Sequence, residues 1–350
     1  MSTAVLAVPG DLMTTTGGYL YDRRLLAALR ALGRDVRHIA LPGTFPAPAP
    51  ADQERAAALL AAVPADCPLI IDGLAFGAMD HAALSGVRAP IVALVHHPLA
   101  EESGLAPERR AALYRSERDN LALAAHVIVT SPHTARLLMS HYDIDATRIT
   151  VARPGVDPPS GHGADADTPP LILAVGILVP RKGHDLLLRA LAQITDRPWQ
   201  ATIVGAARDE LHAREVRERA ATPALAHRVR LAGSVTADEL AQLYRRASIF
   251  ALATRYEGHG IVFDEAMVHG LPIVTCAVGA VPDTVAPGAG LLVPPDDADA
   301  FAAALARVLD DSDLRARMAA TSSRAGAALP AWDETARRTI SALDRVVPRG

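Results

Sequence analysis

Short apolar runs alternate with stretches of helical spacing along almost the whole chain, and the alternation stops once and then restarts. Candidate strands lie at 4–8, 36–40, 69–71, 91–95, 126–130 and 149–151, and again at 171–175, 201–204, 229–232, 249–251, 273–275 and 290–293. Between them, apolar residues recur with helical period at 20–32, 52–62, 107–124, 134–141, 184–193, 209–220, 236–246, 263–269 and 299–309. A continuous apolar strand followed by a helix is the unit of a parallel sheet with both faces covered. The interruption, residues 158–170, is dense in Pro, Gly and Asp and reads as a linker. The expectation is therefore α/β, with two doubly wound domains at 1–158 and 168–330, each with its own core. Ligands of such sheets bind outside the carboxyl ends of the strands, so two of them joined by a linker would face each other across a cleft. Thr236 and Glu239 form a capping box that fixes one helix start.

Composition excludes several functions. A net charge of −4 argues against a nucleic-acid partner. No apolar run reaches the length of a membrane span, and the N-terminus lacks the basic, apolar pattern of a secretory signal. Cys67 and Cys276 are far apart and form no framework, which points to a reducing, cytoplasmic setting. Arg23, Arg24, Arg30, Arg34 and Arg37 form a local cluster. It reads as a solvated helix face before it reads as a weak contact with anionic lipid.

One residue stands out. The chain uses arginine freely but has a single lysine, Lys182. An ammonium on a flexible stem is not interchangeable with a guanidinium. Lys182 follows Arg181 in the loop 175–185, where Gly176 and Gly183 flank the pair after a strand and before a helix. Backbone N–H groups and a helix start favour phosphate there, although the G-x-x-x-x-G-K-[ST] loop is absent. A second constellation spans 254–267. Glu257 and Glu265, eight positions apart, bracket a loop containing Gly258, His259 and Gly260. Glycines allow close approach of a ligand, and carboxylates suit sugar hydroxyls. In the plainer reading Glu257 caps a helix turn and Glu265 lies on a helix surface. His96 and His97 end a strand and point opposite ways, so one histidine at the ligand edge is expected rather than a metal centre. Gly17 and Gly18 follow the first strand without G-x-G-x-x-G, which disfavours an NAD oxidoreductase.

The stretches 175–185, 256–267, 269–283 and 290–297 together resemble the donor-binding half of the family 4 retaining glycosyltransferases, which have the GT-B fold of two Rossmann-like domains. The first domain is similar more loosely, through Gly17-Gly18, the strand ending at His96, and residues 127–131 and 153–157. The tail around Trp332 resembles the last helix of the family, here about 332–348, which crosses back onto the first domain. The resemblance implies transfer of a sugar from a UDP- or GDP-linked donor to an acceptor hydroxyl, with the acceptor bound by the first domain. The acceptor could be a small molecule, a glycan or a lipid-linked sugar. By the same resemblance, Lys182 neutralises the donor diphosphate and Glu265 binds the ribose. Glu257 and the loop Gly258-His259-Gly260 lie near the donor sugar, His96 lies beside the transferred sugar, and Gly17 and Gly18 belong to a flexible loop that meets phosphates and acceptor. No D-x-D triplet stands out as a metal-binding motif, so neither metal nor other cofactor is expected. The alternatives are a non-catalytic nucleotide-sugar-binding homologue or another GT-B enzyme such as an epimerase. One departure is Ile177, where the family usually has arginine. Arg181 is the nearest substitute cation, unless it points to solvent and leaves the phosphate to Lys182 and backbone N–H groups.

Overall fold

A computed structural model of the chain describes residues 3–158 and 167–347. Two compact units emerge, Met1–Gly155 with Pro330–Gly350, and Val156–Leu329. Residues 159–166 of the expected linker lie outside the described residues. Its far end is tied to the second unit, where Arg246 clasps the Asp167 carboxylate through two hydrogen bonds of 2.9 Å.

The first unit carries β1 (Ala4–Pro9), β2 (Val36–Leu41), β3 (Leu69–Asp72), β4 (Ile91–Val95), β5 (His126–Val129) and β6 (Ile149–Val151). Their order is β2-β1-β3-β4-β5-β6, and every pairing is parallel. The direction of winding reverses between β1 and β3. The second unit carries β7 (Leu171–Val175), β8 (Gln200–Val204), β9 (Val229–Gly233), β10 (Ile249–Leu252), β11 (Ile273–Cys276) and β12 (Gly290–Val293). Here the order is β12-β11-β10-β7-β8-β9, again parallel, and the reversal falls between β7 and β10. Crevices at such reversals are where open α/β sheets bind ligands.

The apolar runs are continuous because both sheet faces are covered. Along β7, Ile172 and Ala174 join a core with Leu187, Ile203 and Phe301, while Leu171 and Leu173 join another with Phe250, Phe263 and Met267. Strand alternation thus feeds two cores from one run. All the expected strands form, and the expected helices form with ends shifted by a few residues. The helix Ser312–Ala327 was not foreseen. Its buried residues are Met318, Ser322 and Gly326, too few of them apolar to make a stripe: Gly326 lies against the Met267 carbonyl, where a Cβ would overlap, and the Ser322 hydroxyl donates to the Leu271 carbonyl at 2.6 Å.

The last helix, Trp332–Val346, belongs to the first unit and packs on the helix Gly17–Ala31. Trp332 meets the Tyr21 ring edge-on at 5.7 Å, and the Arg24 guanidinium lies 5.6 Å from the indole centroid. Gly155 passes beneath the Trp332 backbone so closely that a Cβ would overlap it. The Thr335 hydroxyl donates to the Arg153 carbonyl at 2.7 Å. Most of the arginine cluster is also spent on holding this unit together. Arg23 donates to the Leu12 carbonyl, Arg30 to that of Val36, and Arg34 pairs with Asp344 at 2.9 Å. Among the described residues no helix is long and apolar enough to cross a membrane. Both cysteines are buried and free.

Trp332→Ala is expected to destabilise the first unit by about 3–5 kcal/mol, the usual cost of emptying a large aromatic site. Urea unfolding followed by a probe within residues 1–155 checks this; an unchanged midpoint would mean that the tail helix only rests on the surface.

Candidate active site

In the second unit, the turn after β7 and the loop after β10 meet at the winding reversal. The pairing of Ile172 with Ile249 and Leu173 with Phe250 makes these strands neighbours. Gly183 takes a left-handed conformation (φ +63°) and lies against the Ala253 carbonyl, leaving no room for a Cβ. The two segments are then sewn together. The Arg255 N–H donates to the Arg181 carbonyl at 2.8 Å, and the Thr254 hydroxyl donates to the same carbonyl at 3.1 Å. Arg255 grips Asp185 through both of its terminal nitrogens at 2.9 and 2.8 Å, bonds the Pro180 carbonyl, and reaches Asp296 at 2.7 Å.

This stitching puts Lys182, Arg181 and Glu257 in one cluster. Lys182 Nζ donates to Glu257 Oε1 at 2.7 Å, while Arg181 Nη1 lies 3.6 Å from Oε2 and donates to the Tyr256 carbonyl at 3.0 Å. The Thr254 hydroxyl donates to Glu257 Oε1 at 2.9 Å. Glu257 is buried, and its backbone is pinned from behind by the Ala280 N–H at 2.9 Å, over Gly279. Burial alone would raise the carboxyl pKa, but Lys182, Arg181 and Thr254 outweigh it and hold it below the usual carboxylate range. Glu257 is therefore not a helix cap. Arg181 turns inward beside Lys182, so the solvent-pointing alternative does not hold. The Lys182 stem packs over Gly176, where a Cβ would sit 3.3 Å from Cγ and Cδ. Ile177 is half-buried and lies beside the Gly205 backbone, which leaves Arg181 as the second cation of the turn.

The helix Ile261–Val268 starts at Gly260, whose left-handed backbone (φ +88°) brings it against the Phe263 ring. His259 Nε2 pairs with Asp264 Oδ2 at 2.5 Å, and the His259 carbonyl accepts from the Thr284 hydroxyl at 2.8 Å. His259 Nδ1 is buried with no partner among the described residues. Glu265 accepts a 2.7 Å hydrogen bond from the Tyr244 hydroxyl. Withdrawal from water, reinforced by Asp264 and Asp157, pushes its pKa up to about 7 despite that bond. It is neither free nor a plain surface residue.

In the first unit, His96 follows β4 and points at two buried carboxylates. Its Nε2 lies 3.1 Å from Asp22 Oδ1 and 3.3 Å from Asp72 Oδ2. The sequence placed no carboxylate near His96, and this is corrected. Asp22 comes from the helix after β1 and Asp72 from the end of β3, at that sheet's own winding reversal. His97 turns the other way, to Glu102 at 3.4 Å. Gly18 lies against the His96 ring, where a Cβ would sit 3.5 Å from Cδ2. Gly17 and Gly18 are not in a loop. They form the first turn of the helix Gly17–Ala31, whose N-cap is Thr16 in extended conformation. The helix begins earlier than apolar spacing suggested because its first turn carries glycines rather than core residues. Asp22, Asp72, Thr254, Arg255, Asp185 and Tyr244 escaped sequence reading, since each has a partner distant in the chain, and Asp264 escaped it although its partner His259 is only five residues away.

Residues 21–159 match the family model described as Glycosyltransferase Family 4, and residues 169–311 match that described as Glycosyl transferases group 1. The chain belongs to the family 4 glycosyltransferases. Over 292 residues it is 32% identical to a D-inositol 3-phosphate glycosyltransferase of Salinispora tropica, an alignment covering 73% of this chain and 60% of that protein. The family 4 chain thus spans about 60% of the length of that curated relative. Its fold is similar to sucrose-phosphate synthase from Thermosynechococcus elongatus, with TM-score 0.79, 22% identity and 98% of each chain covered. It is also similar to Anabaena HepE in complex with UDP-glucose, with TM-score 0.75, 18% identity, and 97% of this chain and 99% of that one covered. Two Rossmann-like units in this order constitute the GT-B fold.

Because the Glu257 pKa is lowered on folding, its contribution to stability is fully present above the unfolded carboxyl value and is lost as pH falls through the folded one. Glu257→Gln should therefore destabilise the second unit by about 2–4 kcal/mol at pH 7, since it removes the buried carboxylate that Lys182 and Arg181 both face. The gap to wild type should narrow as pH falls below the ordinary carboxylate range. Thermal unfolding across pH checks this; a gap independent of pH would mean that the ion pairs contribute nothing.

Proposed function

We propose that this chain is a glycosyltransferase that moves a sugar from a nucleotide-sugar donor to an acceptor hydroxyl with retention of configuration. The observation carrying the reading is the Lys182–Arg181–Glu257 cluster at the winding reversal of the second unit. Two cations sit on adjacent residues at the carboxyl end of a parallel sheet, and both face the Glu257 carboxylate. A donor diphosphate offers them a stronger partner. Glu265, with its carboxyl near half-ionised at neutral pH, is positioned to accept from ribose hydroxyls. The buried, unpartnered Nδ1 of His259 is a group that a sugar hydroxyl would satisfy. Relatives in the family act under the name of glycosyltransferases, and HepE has been seen with UDP-glucose. The second unit would then bind the donor and the first unit the acceptor, through His96 and the residues around Gly17 and Gly18.

In this reading the bond between the anomeric carbon and the diphosphate breaks while the acceptor oxygen attacks from the same face. The transition state is oxocarbenium-like by analogy with other glycosyl chemistry. Charge builds on the leaving phosphate, where Lys182 and Arg181 stabilise it. The acceptor proton passes to the departing phosphate oxygen, so no enzyme base and no metal is called for. UDP or GDP is the leaving group.

Incubation with a panel of UDP- and GDP-sugars, with products followed by NMR, tests the reading. Transfer should proceed in a chelator and give a product anomer matching that of the donor. Lys182→Ala should lower kcat/KM by about 100–1000-fold, the usual loss when one transition-state donor is removed. Lys182→Arg should restore it only in part, because a guanidinium cannot take the same place over Gly176. Inversion of the anomer, or full activity in Lys182→Ala, would overturn the assignment.

A further inference from the structure

The Asp22–His96–Asp72 cluster lies in the first unit and has no part in donor phosphate binding as proposed above. Asp22 and Asp72 are almost fully buried, and the His96 side chain keeps 18% exposure. One imidazole nitrogen, Nε2, stands within hydrogen-bonding reach of a carboxylate oxygen on each side. The other Asp72 oxygen is already used, accepting from the Leu74 N–H at 2.9 Å. Two buried carboxylates this close cannot both ionise without a cation between them. Tyr21 also packs on the ring, which it meets edge-on at 5.2 Å. Burial and Asp22 keep that phenol protonated, and its hydroxyl is spent on the Ala152 carbonyl at 2.8 Å. The His96 carbonyl is occupied as well, by the hydroxyls of Thr130 and Thr134 at 3.2 and 3.4 Å. Nδ1 makes no hydrogen bond among the described residues.

We infer that Asp22 and Asp72 are positioning residues that hold His96 as a fixed imidazolium, whose free Nδ1–H donates to a neutral sugar oxygen at the ligand edge of the first unit. The inference rests on the proposed glycosyl transfer only for the identity of that oxygen. Its charge logic is local. A ring whose Nε2–H is shared between two carboxylates has one outward-pointing group, and in the imidazolium that group is a donor with no lone pair. His96 is then unable to take a proton from an acceptor hydroxyl. Two carboxylates and one imidazolium leave the cluster with a net negative charge, which disfavours a phosphate or carboxylate ligand there and favours a hydroxyl. Burial alone would lower the His96 pKa, but Asp22 and Asp72 more than reverse it and lift it to about 10, while the Asp22 carboxyl is itself held above its ordinary value by burial. At pH 7 the ring is therefore protonated and faces an ionised Asp22.

Nitrogen-15 NMR of the histidine rings in the full chain, without donor or acceptor, reads this directly. Both His96 nitrogens should carry protons from pH 6.5 to 8.5, and the spectrum should be the same with and without a chelator. Asp22→Asn and Asp72→Asn should each bring the His96 midpoint down by a unit or more, with the wild-type titration standing alone if a variant fails to fold. Transfer rates, once a donor is found, should show no rise through the ordinary histidine range, and His96→Gln, which keeps a donor, should retain more turnover than His96→Leu. A neutral His96 at pH 7.5 overturns the inference, and so does a His96 signal that moves on chelation, since a metal would then supply the missing cation. Failure to find any sugar donor would sink the proposed function while leaving the NMR result standing.

Discussion

Parallel pairing of β7 with β10 is the constraint on which the candidate site depends. Those strands lie far apart in sequence, and Lys182 and Glu257 are 75 residues apart. Only the winding reversal makes the loops after them neighbours. The same device operates in the first unit, where the reversal between β1 and β3 brings Asp22 and Asp72 to His96. Each unit therefore sets a cluster of buried charged groups at the place where its sheet opens a crevice. The central strands β4 and β7, by contrast, are apolar throughout and serve the cores.

In the second unit the buried carboxylate is paired without a ligand. Glu257 is buried, and Lys182 and Arg181 compensate it. Charges withdrawn from water at this depth cost several kcal/mol each unless paired, so the chain needs Glu257 in order to keep two cations at the site. In the proposed function, an arriving diphosphate would compete with that carboxylate for the cations. Gly176, Gly183 and Gly279 make this possible, since side chains at those positions would displace the Lys182 stem, the Ala253 carbonyl or the Glu257 backbone. The conformational demand explains why glycine recurs around so few functional groups.

Much of this was legible in the sequence. Every strand of both sheets was, because strands covered on both faces are apolar throughout, as β4 and β7 are. Lys182 was marked by being the only lysine, and Glu257 and Glu265 by their glycine loop. What the sequence hid were partners brought in by topology. Nothing near Asp22 or Asp72 in the chain marks them as ligands of a histidine at position 96, and Arg255 gave no sign that it would clasp Asp185 and Asp296. The helix Ser312–Ala327 was hidden for another reason, since packing through Gly326 and Ser322 leaves no apolar stripe to read. Ile177 removed the expected cation, and the inward turn of Arg181 supplied another that spacing alone left undecided.

The central claim is that Lys182 and Arg181 wait for a diphosphate. Titration calorimetry of UDP and GDP against uridine and guanosine, on the wild-type chain and on Lys182→Ala, tests it most directly. The account predicts that one diphosphate binds wild type about 100-fold more tightly than its own nucleoside, a difference of roughly 2.7 kcal/mol, and that most of this gap disappears in the variant. Equal affinities of nucleoside and diphosphate for the wild-type chain would contradict it.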